Sequence, residues 1–287
     1  MSKKILILGS AGQIGSHLLE YLKKKNFITY EFDIANNKKQ DLRIPNNITL
    51  NSLIKRSDFI FFLAFDVGGS RYLKLYQDSA QFISNNLLIM ENTFSLIGKH
   101  NKKFIFASSQ MSNMGYSNYG LLKRIGENYT KILKGITVKS WNVYGFEKDI
   151  SKSHVITDFI LNGLKSKTVK MLTNGKEERE FLYAEDCCRG LEIIMKNFLL
   201  FKAKTSEIDL TSNKLSSILS VAKIITKLFI DKGKKVKFIP TKIKDTVQLN
   251  KRNKANKFLF KYWKPKFSLK QGIQEVFDYY CNHNKKI

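Results

Sequence analysis

Short apolar runs at residues 4–8, 27–33, 58–64, 103–107 and 136–141 read as strands, and the run at 58–64 is apolar on both faces. A strand buried on both faces belongs to a parallel sheet covered by helices. Between these runs, residues 14–25, 82–97 and 119–133 carry helical spacing, with Ile14, Leu18, Leu19 and Leu22 on one face of the first. Strand–helix alternation of this kind predicts βαβ units and an α/β fold with a Rossmann-like, doubly wound parallel sheet. After Gly145 the pattern loosens into a helix at 154–164, a strand at 169–172, a turn at Asn174-Gly175, and helices at 184–197, 216–229 and 269–280. No internal repeat and no Pro- or Ser-rich linker divides the halves, so a smaller second α/β part is expected to be interleaved with the first.

Composition narrows the class. The chain has 287 residues, 43% hydrophobic and 12% aromatic, which is enough to bury a real core and excludes a disordered chain despite a net charge of +26. The longest apolar stretch, 59–65, is far below the roughly 20 residues of a membrane helix, and no secretory signal is visible. Cys187, Cys188 and Cys281 cannot form a disulfide framework at this size. A soluble, cytoplasmic protein without membrane contact is therefore expected, with no metal site, because no His or Cys partners sit at ligand spacing.

The chemistry begins at Gly9-Ser10-Ala11-Gly12-Gln13-Ile14-Gly15, a G-x-x-G-x-x-G turn between a predicted strand and a predicted helix. Gly9 and Gly12 let the backbone turn tightly against a pyrophosphate, Gly15 lets the helix pack closely, and the helix N-terminus offers amide donors. Asp33 ends the second strand, 18 residues beyond Gly15. A carboxylate there accepts from ribose hydroxyls and repels a 2′-phosphate, which favours NAD over NADP. Asp41 and Leu42 are placed beside the adenine. Further on, Tyr119 and Lys123 stand four residues apart on one helix face, where an ammonium is expected to lower the phenol pKa and make it an acid/base.

These features, with the strand end Phe104-Ile105-Phe106-Ala107-Ser108-Ser109, Asn142-Val143-Tyr144-Gly145 and the segment from Arg179 to Asp186, occur in an order that resembles the NAD-dependent epimerase/dehydratase family, extended short-chain dehydrogenase/reductases acting on nucleotide sugars. The closing segment from Trp263 to Ile273 resembles that family as well, so the likeness covers nearly the whole chain. It implies an NAD-binding domain at 1–145, completed by about 181–210, and a mainly substrate-binding part at 146–287. It also implies that Tyr119 moves the proton of a sugar hydroxyl while Lys123 tunes it and holds the nicotinamide ribose. Ser109, preferred to Ser108, orients the hydroxyl. Ala11, Gln13, Ile14, Leu63 and Ala64 join the cofactor contacts. Asn142 and Arg179 hold the substrate diphosphate, and Lys242, three before Asp245, takes the place of a family arginine with that task. Asn86 resembles a helix asparagine behind the active site. A homodimer through the 82–97 and 119–133 helices is a further implication.

Departures from the family narrow the reaction. Sugar 4,6-dehydratases carry an Asp-Glu pair after the catalytic Ser or Thr, whereas Gln110 and Met111 stand here and neither moves a proton. Met111 also occupies the position of a cysteine used in two-base epimerases. Yet Ser153-His154-Val155-Ile156 resembles the segment of GDP-fucose synthases whose histidine is catalytic, and Asp66-Val67-Gly68-Gly69 resembles a loop of GDP-mannose 3,5-epimerases. His154 thus faces the sugar as base or as hydrogen-bond donor. The reading is redox chemistry at sugar C4, either epimerisation through a 4-keto species or net reduction of a 4-keto sugar.

Two rivals come from other classes. One is a non-catalytic nucleotide-binding protein, against which the Ser109, Tyr119 and Lys123 set weighs. The other is a nucleic-acid binder. Residues 230–270 hold 13 lysines and Arg252 against Asp231 and Asp245, interleaved with Phe258, Phe260, Tyr262 and Trp263. The fit of those aromatics to a packed terminal segment disfavours it.

Overall fold

Strands and helices alternate from the first residues described. The structure, a computed structural model, describes residues 3–245 and 254–283; Lys251 and Arg252 of the basic segment lie outside the described residues. The first half runs β1 (Lys4–Leu8), α1 (Gln13–Lys24), β2 (Ile28–Phe32), α2 (Ile48–Arg56), β3 (Phe59–Phe62), α3 (Ser70–Tyr76), α4 (Ala80–Lys99), β4 (Phe104–Ser109), α5 (Asn118–Ile132) and β5 (Ile136–Ser140). The second runs β6 (Val143–Tyr144), α6 (Val155–Lys165), β7 (Thr168–Lys170), β8 (Glu178–Glu180), β9 (Leu182–Tyr183), α7 (Ala184–Lys196), α8 (Phe198–Lys202), β10 (Glu207–Leu210), β11 (Leu215–Ser217), α9 (Ile218–Asp231), β12 (Lys237–Ile239) and α10 (Leu269–His283).

Six strands form one parallel sheet in the order β10-β5-β4-β3-β1-β2. Alternate side chains leave opposite faces of each strand. Ile5, Ile7, Phe59, Phe61 and Ile105 therefore meet Leu18 and Leu22 of α1 and Cys187 and Leu191 of α7. Leu6, Leu8, Ile60, Phe62 and Phe106 meet Leu50 and Ile54 of α2, Phe94 of α4 and Leu122 of α5. This is the doubly wound, Rossmann-like sheet that the alternation predicted. β2 and β3 flank β1 on either side, so connections diverge at its carboxyl end and open a crevice there.

The chain leaves this sheet after β5 and returns to it, since β10 pairs in parallel with β5 and α7 packs on α1. A separate core joins α6, α9 and α10 through residues such as Ile160, Val221, Ile225, Ile273 and Phe277. The strand expected at 169–172 is β7, whereas helices α2 and α3 and the other two- and three-residue strands escape a periodicity reading. In the basic segment, Leu259 and Trp263 are buried against the first core, and Phe258 packs edge-on to Phe201. Those rings are walls of the fold. Burial also pushes the Cys187 thiol up to about 12, which makes it an inert apolar group. Among the described residues, no helix is long and apolar enough to cross a membrane.

Phe62 sits at the centre of the second core, its ring 5.1 Å from Phe94 and 5.3 Å from Phe106. Phe62→Ala is expected to cost about 3–5 kcal/mol. Urea unfolding should show it as a lower midpoint at unchanged slope.

Candidate active site

The crevice is a cleft of about 570 Å³ at the carboxyl ends of the central strands. Its floor is the glycine turn. Gly9 has φ +85°, and a Cβ there would stand 2.6 Å from the Ala64 nitrogen; a Cβ on Gly15 would stand 1.9 Å from the Gly9 carbonyl oxygen. Only glycine allows β1, β3 and α1 to converge this closely. Gly12 begins α1 without a side-chain cap, and the buried amide nitrogen of Gln13 has no hydrogen-bond partner among the described residues. Uncapped helix amides and a spare side-chain donor suit a dinucleotide pyrophosphate. Ala11, Ile14, Leu63 and Ala64 line the same cleft.

At the far side of the turn, Asp33 accepts the Ala11 and Ala35 N–H groups, each at 2.9 Å. Beyond it, Asp41 and Leu42 also line the cleft, and Asp41 is gripped by Arg43 through contacts of 2.8–3.1 Å. That guanidinium, by hydrogen bonding, holds the Asp41 carboxyl below its usual range.

Ser117 caps α5 by accepting the Gly120 N–H, and Gly120 lies against the Met111 carbonyl, which sets Tyr119 beside the end of β4. Ser109 hydrogen-bonds Tyr119, whereas the Ser108 hydroxyl donates to Glu127 at 2.5 Å. One turn along α5, the buried Lys123 ammonium donates to the Ala107 carbonyl at 2.7 Å and stands 3.7 Å from the centre of the Phe65 ring. Burial pushes Lys123 down to about 7, opposed by the charge of Glu127. Burial pushes Tyr119 up to about 12, with the Ser109 hydrogen bond opposing it. The phenol is thus raised where the spacing led us to expect it lowered. Desolvation outweighs an ammonium that is turned toward Ala107 and Phe65.

The other end of the cleft is built around Asp66. Its carboxylate accepts from Tyr72 at 2.6 Å, from Asn85 at 2.9 Å and from Lys152 at 3.2 Å, while Asn86 pairs with its backbone. Gly69 donates to the Lys152 carbonyl at 3.0 Å, closing the Gly68-Gly69 segment over residues 152–153. His154 and Asn142 line this end, and Gln110 donates to Asn142 at 3.3 Å. Glu147 and Phe65 line it too and went unnoticed in the sequence, as did Glu127 behind Lys123. Glu127 was within reach of a spacing argument, standing four residues after Lys123 on the same helix.

Two expected substrate contacts lie elsewhere. Arg179, on β8, pairs with Asp245 and donates to the Glu178 carbonyl at 2.8 Å, and it does not line the cleft. Lys242 is exposed and also outside it. Among the described residues, no group of His, Cys, Asp and Glu could hold a metal ion.

The family described as NAD dependent epimerase/dehydratase matches residues 5–202. A GDP-L-fucose synthase from Sinorhizobium fredii is 23% identical over 98% of this chain and 96% of its own. The solved UDP-glucose 4-epimerase of Thermotoga maritima superposes with a TM-score of 0.80 at 18% identity, covering 98% of this chain and 99% of that one. A GDP-6-OMe-4-keto-L-xylo-heptose reductase from C. jejuni superposes at 0.81 with 22% identity, covering 99% of each. With a family match over more than half its length and the fold shared end to end, the chain belongs to the NAD dependent epimerase/dehydratase family.

Proposed function

We propose that this protein performs NAD-dependent redox chemistry at C4 of a nucleotide sugar, epimerising it through a 4-keto species. The observation that carries this reading is the convergence of Ser109, Tyr119 and Lys123 on one cleft with the glycine turn. A bound dinucleotide would supply the hydride acceptor and donor. Tyr119 would take the proton of the C4 hydroxyl and return it, and Ser109 would hold that hydroxyl in line. Lys123 would keep its proton more firmly beside a bound anion, and an ammonium there stabilises the Tyr119 phenolate. The carboxylate of Asp33 supports NAD over NADP, because it would repel a 2′-phosphate. Gln110 and Met111, both buried after Ser109, supply no acid or base for dehydration.

Asn142, which lines the cleft, would meet the substrate. Arg179 would have to leave Asp245 to reach a diphosphate, and Lys242, exposed outside the cleft, would have to swing toward it. A second reading, reduction of a 4-keto sugar in the manner of fucose synthases, is favoured by His154 in the cleft. Helices α4 and α5 expose Leu87, Leu88, Leu121 and Ile125 on their outer faces, which supports a homodimer through these helices.

Three outcomes test this. Protein charged with NAD should interconvert hexoses in a panel of UDP-, GDP- and dTDP-sugars without added reductant, and Tyr119→Phe should lose about 10²–10⁴ in turnover. A stoichiometric demand for NADH would select the reductase reading, and full activity of Tyr119→Phe would end both. Light scattering should report a dimer that Leu88→Glu with Ile125→Glu converts to monomer. The third outcome concerns Lys123, whose folded pKa of about 7 lies below the roughly 10.4 of an unfolded lysine. Between these values the unfolded chain binds more protons, so this group makes stability rise with pH, by up to about 1.4 kcal/mol per unit. Lys123→Met should flatten that rise in denaturant melts between pH 7 and 10 while abolishing turnover.

A further inference from the structure

The cleft holds a second titratable pair that the Tyr119 chemistry does not use. We propose that Glu147 is the positioning residue of His154, gripping its ring at Nδ1 so that Nε2 is the atom offered to the sugar end of the cleft. The proposal rests on the reading of that cleft as a nucleotide-sugar site, and it adds a residue the sequence did not single out.

The geometry is a two-point grip. One Glu147 oxygen lies 2.6 Å from Nδ1 of His154, and the other accepts the backbone N–H of the same residue at 3.0 Å. The carboxylate is itself fixed. Its backbone N–H donates to the Tyr280 hydroxyl at 2.8 Å, that hydroxyl donates to its carbonyl at 3.1 Å, and the buried Thr157 hydroxyl bonds its side chain. Helices α6 and α10 thus hold Glu147 from two sides. The exposures are unequal: the Glu147 side chain is 5% exposed and the His154 ring 40% exposed, both on the cleft. A ring clamped from behind by a buried carboxylate, with its other edge open, is a proton-transfer group with a chosen tautomer.

The surrounding charges act in the same direction. Asp158, one turn along α6, also faces His154, and it is tied to Ser153 and lies 3.6 Å from Arg71 of α3. Lys152 just before it is engaged by Asp66, while Lys148 and Asp149 stand on the cleft rim. Burial pulls the His154 pKa down, and Glu147, by hydrogen bond and charge, reverses this with the help of Asp158 to leave it above the ordinary value. His154 therefore carries its proton at higher pH than a free imidazole does.

Imidazole ¹⁵N NMR on the full chain tests this without knowledge of the substrate. The chain has four histidines, and His154→Gln identifies the signal that matters. Above its titration midpoint His154 should be the Nδ1–H tautomer, with a midpoint above about 6.5. Glu147→Gln should lower that midpoint by one pH unit or more, a tenfold loss of proton affinity, and Glu147→Asp should recover part of it. A dominant Nε2–H tautomer in the unaltered chain, or a midpoint unmoved in a folded Glu147→Gln, would overturn the proposal. The tautomer needs no variant, so that arm decides even if Glu147→Gln does not fold. Where turnover is found, Glu147→Gln should lower kcat and shift the pH profile with KM held. Absence of turnover on every nucleotide sugar would count against the functional reading and leave the NMR result standing.

Discussion

The site depends on keeping the Lys123 ammonium in a place without water. A buried cation needs compensation from several directions. Here it comes from the Ala107 carbonyl at the end of β4, the face of Phe65 just past β3, and the carboxylate of Glu127 one turn on. Each of these partners is fixed by something else. Glu127 is held by Ser108 and lies 3.4 Å from Lys139, which bridges to Glu207 at 2.7 Å. Lys139 belongs to β5 and Glu207 to β10, so alternating charges run from the cleft to the edge of the sheet. The strand that closes the sheet and the lysine of the site are parts of one electrostatic arrangement.

That arrangement explains what the sequence revealed. The strands, the main helices and the glycine turn follow from local rules: apolar period, tight turns, and close packing that only glycine permits. Tyr119 and Lys123 were legible because four residues is one helical turn. Glu147 and Phe65 were not, because they acquire meaning only when β3 and α6 meet over the cleft, and Asp66 was legible only as part of a loop likeness, not as the carboxylate that gathers Tyr72, Asn85 and Lys152. The raised phenol of Tyr119 belongs to the same class. Spacing counts charges, while burial depends on the packing of Phe65 and the 110–113 turn around the ring. Arg179 shows the reverse case, a motif residue whose pairing with Asp245, 66 positions away, no local pattern could disclose.

Behind the charge of +26, most lysines among the described residues are exposed. In the basic C-terminal segment, Leu259 and Trp263 close the first core and Phe258 packs against Phe201, while Tyr262 is exposed. Lysine stems tolerate this well, because their charged heads reach water while the neighbouring apolar residues are buried. A row of bases would need those rings exposed for stacking. The packing has already used Phe258, Phe260 and Trp263.

Within the cleft the same chain economises on cations. Arg43 is matched by Asp41 and Lys152 by Asp66, each within 3.2 Å, and Lys123 is spent on Ala107 and Phe65. Besides Lys148 on the rim, a dinucleotide bound as proposed would meet the uncapped amides of α1, the spare Gln13 amide and the positive end of the helix. Such donors are fixed in direction and lie out of bulk water, so salt screens them less than it screens surface lysines. The many lysines can draw anions toward the molecule, but on the proposed reading the selection of a pyrophosphate would belong to backbone geometry. On that reading three glycines, rather than the excess of positive charge, are the feature that points to the ligand.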